Sequence, residues 1–156
     1  MVLLTHVNRW GCALTLAMLL TMTAAAAQEE GGQGSTTLQA PPPAPFQDAT
    51  ELLPLPDFIP GAGSLYIDPE DAPVGPWLAY GQDGNLVEVL FMVPVSAMQE
   101  AQNWDDLAQG LISELGLVID HVDITFNAGH PGMAEAHYHF RMSVVDPATQ
   151  QEALNP

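Results

Sequence analysis

The chain is almost without positive charge. Arg9 and Arg141 are its only basic residues besides histidine, against 19 acids in 156 residues, and every acid lies beyond residue 28. A surface of that sign repels nucleic acid and anionic membranes and attracts cations, which argues against a nucleic-acid partner. Cysteine is as scarce, with Cys12 the single thiol. Cysteine catalysis and an internal disulfide framework are thereby excluded for any product lacking Cys12, and stability must come from a core or a metal. Long apolar runs are missing too. Cys12 to Met22 is too short for an ordinary spanning helix of about 20 residues, and Leu86 to Val95 is interrupted by Glu88 and Pro94. Ser64, Ser96 and Ser143 lack a nucleophile-elbow setting, and no glycine-rich phosphate loop precedes a helix. There is no internal repeat.

What is present begins with an export signal. His6 and Arg9 precede the apolar run without any acid, and Ala24-Ala25-Ala26-Ala27 supplies the small residues that signal peptidase reads. This pattern predicts a secretory signal peptide over residues 1–27. Cleavage after Ala27 removes Cys12 and leaves one arginine and 19 acids, a net charge of −18. The expected location is periplasmic or extracellular, with no membrane contact after cleavage. Residues 28–50 hold Gly-Gly-Gln-Gly-Ser-Thr-Thr and Ala-Pro-Pro-Pro-Ala-Pro. Such composition predicts a disordered or polyproline tether. A single domain is expected over 51–150, with Pro54, Pro56 and Pro60 keeping its first segment extended over the surface.

Within that domain, Ser64 to Ile67 predicts a short strand, and Trp77–Tyr80 and Leu86–Val93 a hairpin around Asp83-Gly84. Ser96 is placed to cap a helix from Ala97. Apolar residues recur at Met98, Trp104, Leu107, Leu111, Ile112 and Leu115, with Asn103 a candidate restart and Gly116 a stop. Asp105 and Asp106 suit the start of such a segment, where the helix dipole favours acids. Trp77, Tyr80 and Trp104 read as core residues before pocket residues. Two alternating strands follow. In Leu117–Phe126 the even positions Val118, Val122, Ile124 and Phe126 are apolar; in His137–Val145 the even positions Tyr138, Phe140, Met142 and Val144 are. Each is expected to bury one face and offer a polar one. If the two pair as an antiparallel hairpin, their apolar faces agree, and so do their polar faces. The predicted fold is α+β: an antiparallel sheet of four to five strands with one main helix packed on one face.

The polar faces carry the chemistry. His-x-His at His137 and His139 puts two imidazoles on one side of a strand, about 6 to 7 Å apart at the backbone, close enough to share an ion. His130, in a turn flanked by glycines, or His121, on the partner strand, would complete a three-histidine set. Asp123 or Glu135 is positioned as a fourth ligand or as an acceptor fixing a ring tautomer. Without thiolate, such donors suit divalent transition metals, zinc or copper first. Met133 and Met142 flank the cluster and would admit copper(I), although Met142 alternates onto the apolar face.

Gly129-His130-Pro131-Gly132 followed by His137-Tyr138-His139-Phe140 resembles a group of secreted bacterial proteins classed as a domain of unknown function, with a Gly-His-Pro turn before a histidine-rich last strand. Tyr66-Ile67-Asp68-Pro69, Gly75-Pro76, Tyr80 with Asp83-Gly84, and Met92-Val93-Pro94 extend the likeness over about residues 64 to 145. The resemblance implies export and a small α+β fold and brings no activity. His-x-His also resembles the first cupin motif loosely. Here the glycine lies farther off, no glutamate follows closely, and no second histidine motif exists.

The expected function is an exported domain that binds a divalent transition metal through His121, His130, His137 and His139. Two alternatives stand beside it. One is a metal-dependent hydrolase or oxygenase-type enzyme at the same site, with Glu135 or Asp123 as base. The other is a metal-free interaction domain held to a partner by the proline-rich tether.

Overall fold

A computed structural model describes residues Leu38–Asn155, so the predicted signal peptide and tether residues 28–37 lie outside the described residues. Two-residue alternation in the second half of the chain does become a sheet. It has six strands rather than four or five, all antiparallel. They are β1 (Gln47–Asp48), β2 (Ser64–Ile67), β3 (Trp77–Tyr80), β4 (Leu86–Pro94), β5 (His121–Asn127) and β6 (His137–Ser143). The spatial order is β1-β2-β3-β4-β6-β5, which places β6 inside the sheet and β5 at its edge.

The extra strand, β1, comes from the predicted tether. Gln47 and Asp48 pair with Ile67 and Tyr66. Leu38, Ala40 and Phe46 pack on one face of the sheet, while Ala49, just past β1, is fully buried. The fold therefore starts before residue 51, because this proline-rich stretch still holds apolar residues able to cover the sheet. At the other end, α4 (Pro147–Leu154) carries it past residue 150. Asp146 caps this helix by accepting from the Ala148 and Thr149 amides, a proline occupies its first turn, and Leu154 is buried.

Among the described residues no single main helix forms. The chain instead makes α1 (Ala49–Leu52), α2 (Val95–Gln99) and α3 (Gln109–Leu115) besides α4. Between α2 and α3, Ala101, Asp106 and Ala108 take left-handed backbone conformations that no helix can continue through. This detour lets Trp104 and Leu107, as well as Leu111 of α3, reach the sheet. Ser96 makes no capping bond in α2, and Asp105 and Asp106 lie ahead of α3 rather than in its first turn. Gly116 does stop α3, at φ +63.

β4 is buried on both faces, as its apolar run predicts, and it divides the core in two. On the back face Leu78, Tyr80, Val89, Phe91 and Val93 pack with the α2–α3 region and with Phe140 and Met142 of β6. On the front face Ile67, Trp77, Leu90 and Met92 pack with Ala49, Met133, Leu53 and Leu55. β5 departs from expectation. Its apolar row faces the back through the pairs Val122↔Met142, Ile124↔Phe140 and Phe126↔Tyr138. Yet Val122, Ile124 and Phe126 stay 53%, 58% and 60% exposed, and Val118 66%. The strand lies one position beyond the part of the sheet that the helices cover.

Glu88, the one acid in β4, points to the front and is wholly buried. Arg141 Nε donates to both its oxygens at 2.9 and 3.0 Å, Gln150 Nε2 of α4 donates to Oε2 at 2.8 Å, and Arg141 Nη2 donates to the Gly61 carbonyl at 2.8 Å. The lone arginine of the folded part thus ties β4, β6 and the 53–62 segment together. Stripping one partner from a buried pair typically costs about 3–5 kcal/mol, whereas replacing both with apolar groups is often near neutral. Arg141→Leu is expected to lose stability in that range in urea unfolding, and Glu88→Leu/Arg141→Leu to recover most of it. A loss below about 1 kcal/mol in the single variant would show that water, not Arg141, compensates Glu88.

Candidate metal centre

β6 is hydrogen-bonded on both sides, by β4 and β5, and its alternation is therefore fixed. His137, opposite Pro94 and Asn127, and His139, opposite Met92 and Thr125, both point to the front. The third histidine comes from the loop before β6. His130 and Met133 exchange backbone hydrogen bonds in both directions, at 2.9 and 3.0 Å, around Pro131-Gly132. Proline followed by a glycine at φ +94 is the sequence of a type II turn. The loop is tight enough that glycine is required twice. A Cβ on Gly129, at φ +124, would lie 2.4 Å from the Ala134 carbonyl oxygen, and one on Gly132 would lie 2.8 Å from Leu53 Cδ1.

This turn swings His130 over the strand pair. His130, His137 and His139 each offer a ring nitrogen within 4.8 Å of the other two. The ring centroids lie 4.9 Å apart for His130–His137, 5.6 Å for His130–His139 and 4.8 Å for His137–His139. Hydrogen bonds also set the tautomers. His137 Nδ1 lies 2.7 Å from the Glu135 carbonyl oxygen and His130 Nδ1 2.8 Å from that of Pro131. A carbonyl only accepts, so both Nδ1 atoms carry the proton and both Nε2 atoms present a lone pair, the arrangement metal-ligating histidines use. His137 Nε2 and His139 Nε2 are 2.9 Å apart, which makes His139 the donor of an N–H···N bond. Two nitrogens bound tetrahedrally at 2.0–2.1 Å lie about 3.3 Å apart, so this one pair is a few tenths of an ångström closer than ligation would set it, while the three-ring set spans up to 4.8 Å.

Electrostatics favours the neutral form of the His139 ring, which ligation needs. Burial, and then the like charges of His137, His130 and Arg141, hold the His139 imidazole down at about 4. Three protein nitrogens leave at least one coordination position for another donor.

The other expected ligands lie elsewhere. His121 shares the front face but pairs with Ser143, six residues along β6 from His137. Its ring meets Asp120 Oδ1 at 2.9 Å, Gln150 Oε1 at 3.2 Å and Asp123 Oδ2 at 3.6 Å. The Asp120 bond, with help from Gln150, Asp123 and the charge of Asp120, raises its pKa. Asp123 is opposite Arg141 and stays with His121. The Glu135 carboxylate accepts from the Ser96 amide at 3.3 Å, so this residue supports His137 through its carbonyl only. Met142 faces the back, on the far side of the sheet, and Met133 packs in the front core.

Beside the histidines opens a front-face cavity of about 470 Å³. His130, His139 and Asn127 stand along its wall with Glu88 and Arg141, and apolar groups including Leu53, Leu55, Ile59, Leu65 and Trp77 form most of the rest. Glu88 and Arg141 went unassigned in the sequence, although an acid within an apolar strand and a lone arginine were the signals for a buried pair.

No protein-family model and no curated protein matches the sequence. Among solved structures, the chain is similar to the crystal structure of the hypothetical protein TTHB210 from Thermus thermophilus. The identity is 42%, the match covers 64% of this chain and 93% of that one, and the TM-score is 0.59.

The depressed His139 basicity has a measurable consequence in metal-free protein. Between its unfolded value of 6.5 and about 4, the unfolded chain takes up a proton that the folded chain refuses. Stability should therefore fall as pH drops through that window and be fully present above it. Urea midpoints from pH 7.5 to 4 test this, and His139→Gln should flatten the part of the slope due to this ring. An unchanged slope in the variant would place the proton uptake elsewhere.

Proposed function

We propose, for a chain that belongs to the same protein family as TTHB210 of Thermus thermophilus, that its biochemical role is to bind a divalent transition metal through His130, His137 and His139. The observation that carries this reading is the pair of carbonyl-held tautomers. The Glu135 and Pro131 carbonyls hold the Nδ1 protons of His137 and His130, so their Nε2 lone pairs are free. His137 Nε2 reaches His139 Nε2, and each of the three rings brings a nitrogen within 4.8 Å of the others. A solvated histidine face needs no such arrangement. An all-nitrogen set suits zinc or copper(II). Copper(I) fits less well, because Met142 is on the wrong face to supply the soft donor it would use.

The reading extends to place. The pattern of residues 1–27 and the net charge of −18 after cleavage support work outside the cytoplasm, where an acidic surface gathers cations. Among the described residues no helix is long and apolar enough to cross a membrane. Binding is favoured over hydrolysis because neither base expected for the enzyme, Asp123 or Glu135, turns toward the three rings.

Elemental analysis and zinc titration of the untagged protein test the proposal. One equivalent of metal is expected, with His137→Ala/His139→Ala weakening binding by at least about 100-fold and His121→Ala leaving it unchanged. Metal at about 100 times Kd should add about 2.7 kcal/mol of stability, seen as a higher melting temperature in the parent and not in the double variant. Equal metal content in parent and double variant would overturn the assignment.

A further inference from the structure

The cavity beside the histidines is larger than a metal site needs. Its volume of about 470 Å³ falls within the range of pockets that enclose small organic ligands, about 300–1,000 Å³. It lies between the sheet and the 53–62 segment, whose end is tied down at Gly61. There the amide donates to the Leu154 carbonyl at 2.7 Å, and the carbonyl accepts from Arg141. That wall is thus held in place rather than laid loosely on the core.

The polar groups along the cavity have distinct roles. Glu88 and Arg141 satisfy each other, with Gln150 and the Gly61 carbonyl taking further bonds, so this pair offers a ligand no uncompensated charge. His130 and His139 are different, being both cavity lining and two of the three candidate ligands. A divalent ion on three neutral imidazoles keeps its full double charge beside an apolar space. A charge so placed demands an anionic partner.

The geometry points to a small apolar molecule ending in a carboxylate, its body in this cavity and one carboxylate oxygen completing the shell of the metal held by His130, His137 and His139. The inference rests on the metal reading and adds the class of ligand. The apolar lining supplies most of the binding, and the metal sets which end enters first. A cationic ligand would meet the metal's own charge, and a short polar anion would leave the apolar wall unused.

The test loads the full chain with cobalt(II), whose visible absorption reports its coordination, and titrates it with octanoate, octan-1-ol and acetate. Emission from Trp77, which lines the cavity, is followed in parallel with and without metal. Burying a methylene strengthens binding about fourfold. Octanoate, six methylenes longer than acetate, should therefore bind the cobalt form at least about 100-fold more tightly and change the cobalt spectrum. Octan-1-ol should bind more weakly than octanoate and leave the spectrum close to its starting form. Ala62→Phe, and independently Leu55→Trp, should occupy cavity space, weaken octanoate at least tenfold and leave cobalt affinity unchanged. Equal affinity for acetate and octanoate would overturn the proposal, as would equal octanoate affinity with and without cobalt. Failure of cobalt to bind at all would overturn the metal reading itself, an outcome the titration without ligand shows separately.

Discussion

The front face of this protein depends on β6 being paired on both sides. A strand flanked by β4 and β5 can neither rotate nor slip by one residue without sending Phe140 and Met142 into the front and the histidines into the back core. Burial of those apolar side chains therefore fixes where His137 and His139 point. The energy comes from the back of the sheet and the chemistry appears on the front. Arg141, two residues past His139, uses the same alternation to reach Glu88. The imidazoles and the buried ion pair are thus successive consequences of one register.

The remaining histidine is brought in by a different kind of constraint. His130 belongs to no named strand, and its position depends on the short Pro131-Gly132 turn closed against Met133 and on two glycines packed where no Cβ fits. Met133 is the link between turn and core. Its side chain is buried among the front-face residues while its backbone closes the turn. Packing in the apolar half of the front face is thereby coupled to the placement of a ligand in the polar half.

Much of this was legible in the sequence, and the failures share a physical cause. Alternation revealed which residues share a face, and the polar faces of β5 and β6 do coincide. Alternation carries no information about position along the strand. His121 therefore stood beside His130 as a candidate third ligand until the register put Ser143 opposite it and Asn127 opposite His137. The short elements were hard for a related reason. β1 has two residues within a proline-rich stretch, too few to show any period, and it exists because β2 offers it an edge. The predicted helix obeyed its apolar spacing only at its ends, since core contacts of Trp104 and Leu107 outweighed helical continuity between them. At α4, by contrast, Asp146-Pro147 was a readable start signal that the 150 boundary cut across.

The open flank of β5 has its own consequence for how the molecule behaves in company. A terminal strand whose outer backbone groups are unpaired among the described residues, and which displays Val122, Ile124 and Phe126, is a template on which another chain can add. Many proteins guard such a margin with lysines set along it, and this sequence has none. Mutual repulsion between whole molecules, each strongly anionic, has to do that work instead. Protection of this kind is collective, and it weakens as acid neutralises the carboxylates or salt screens them. Colloidal behaviour and the bareness of one strand are in that sense a single property.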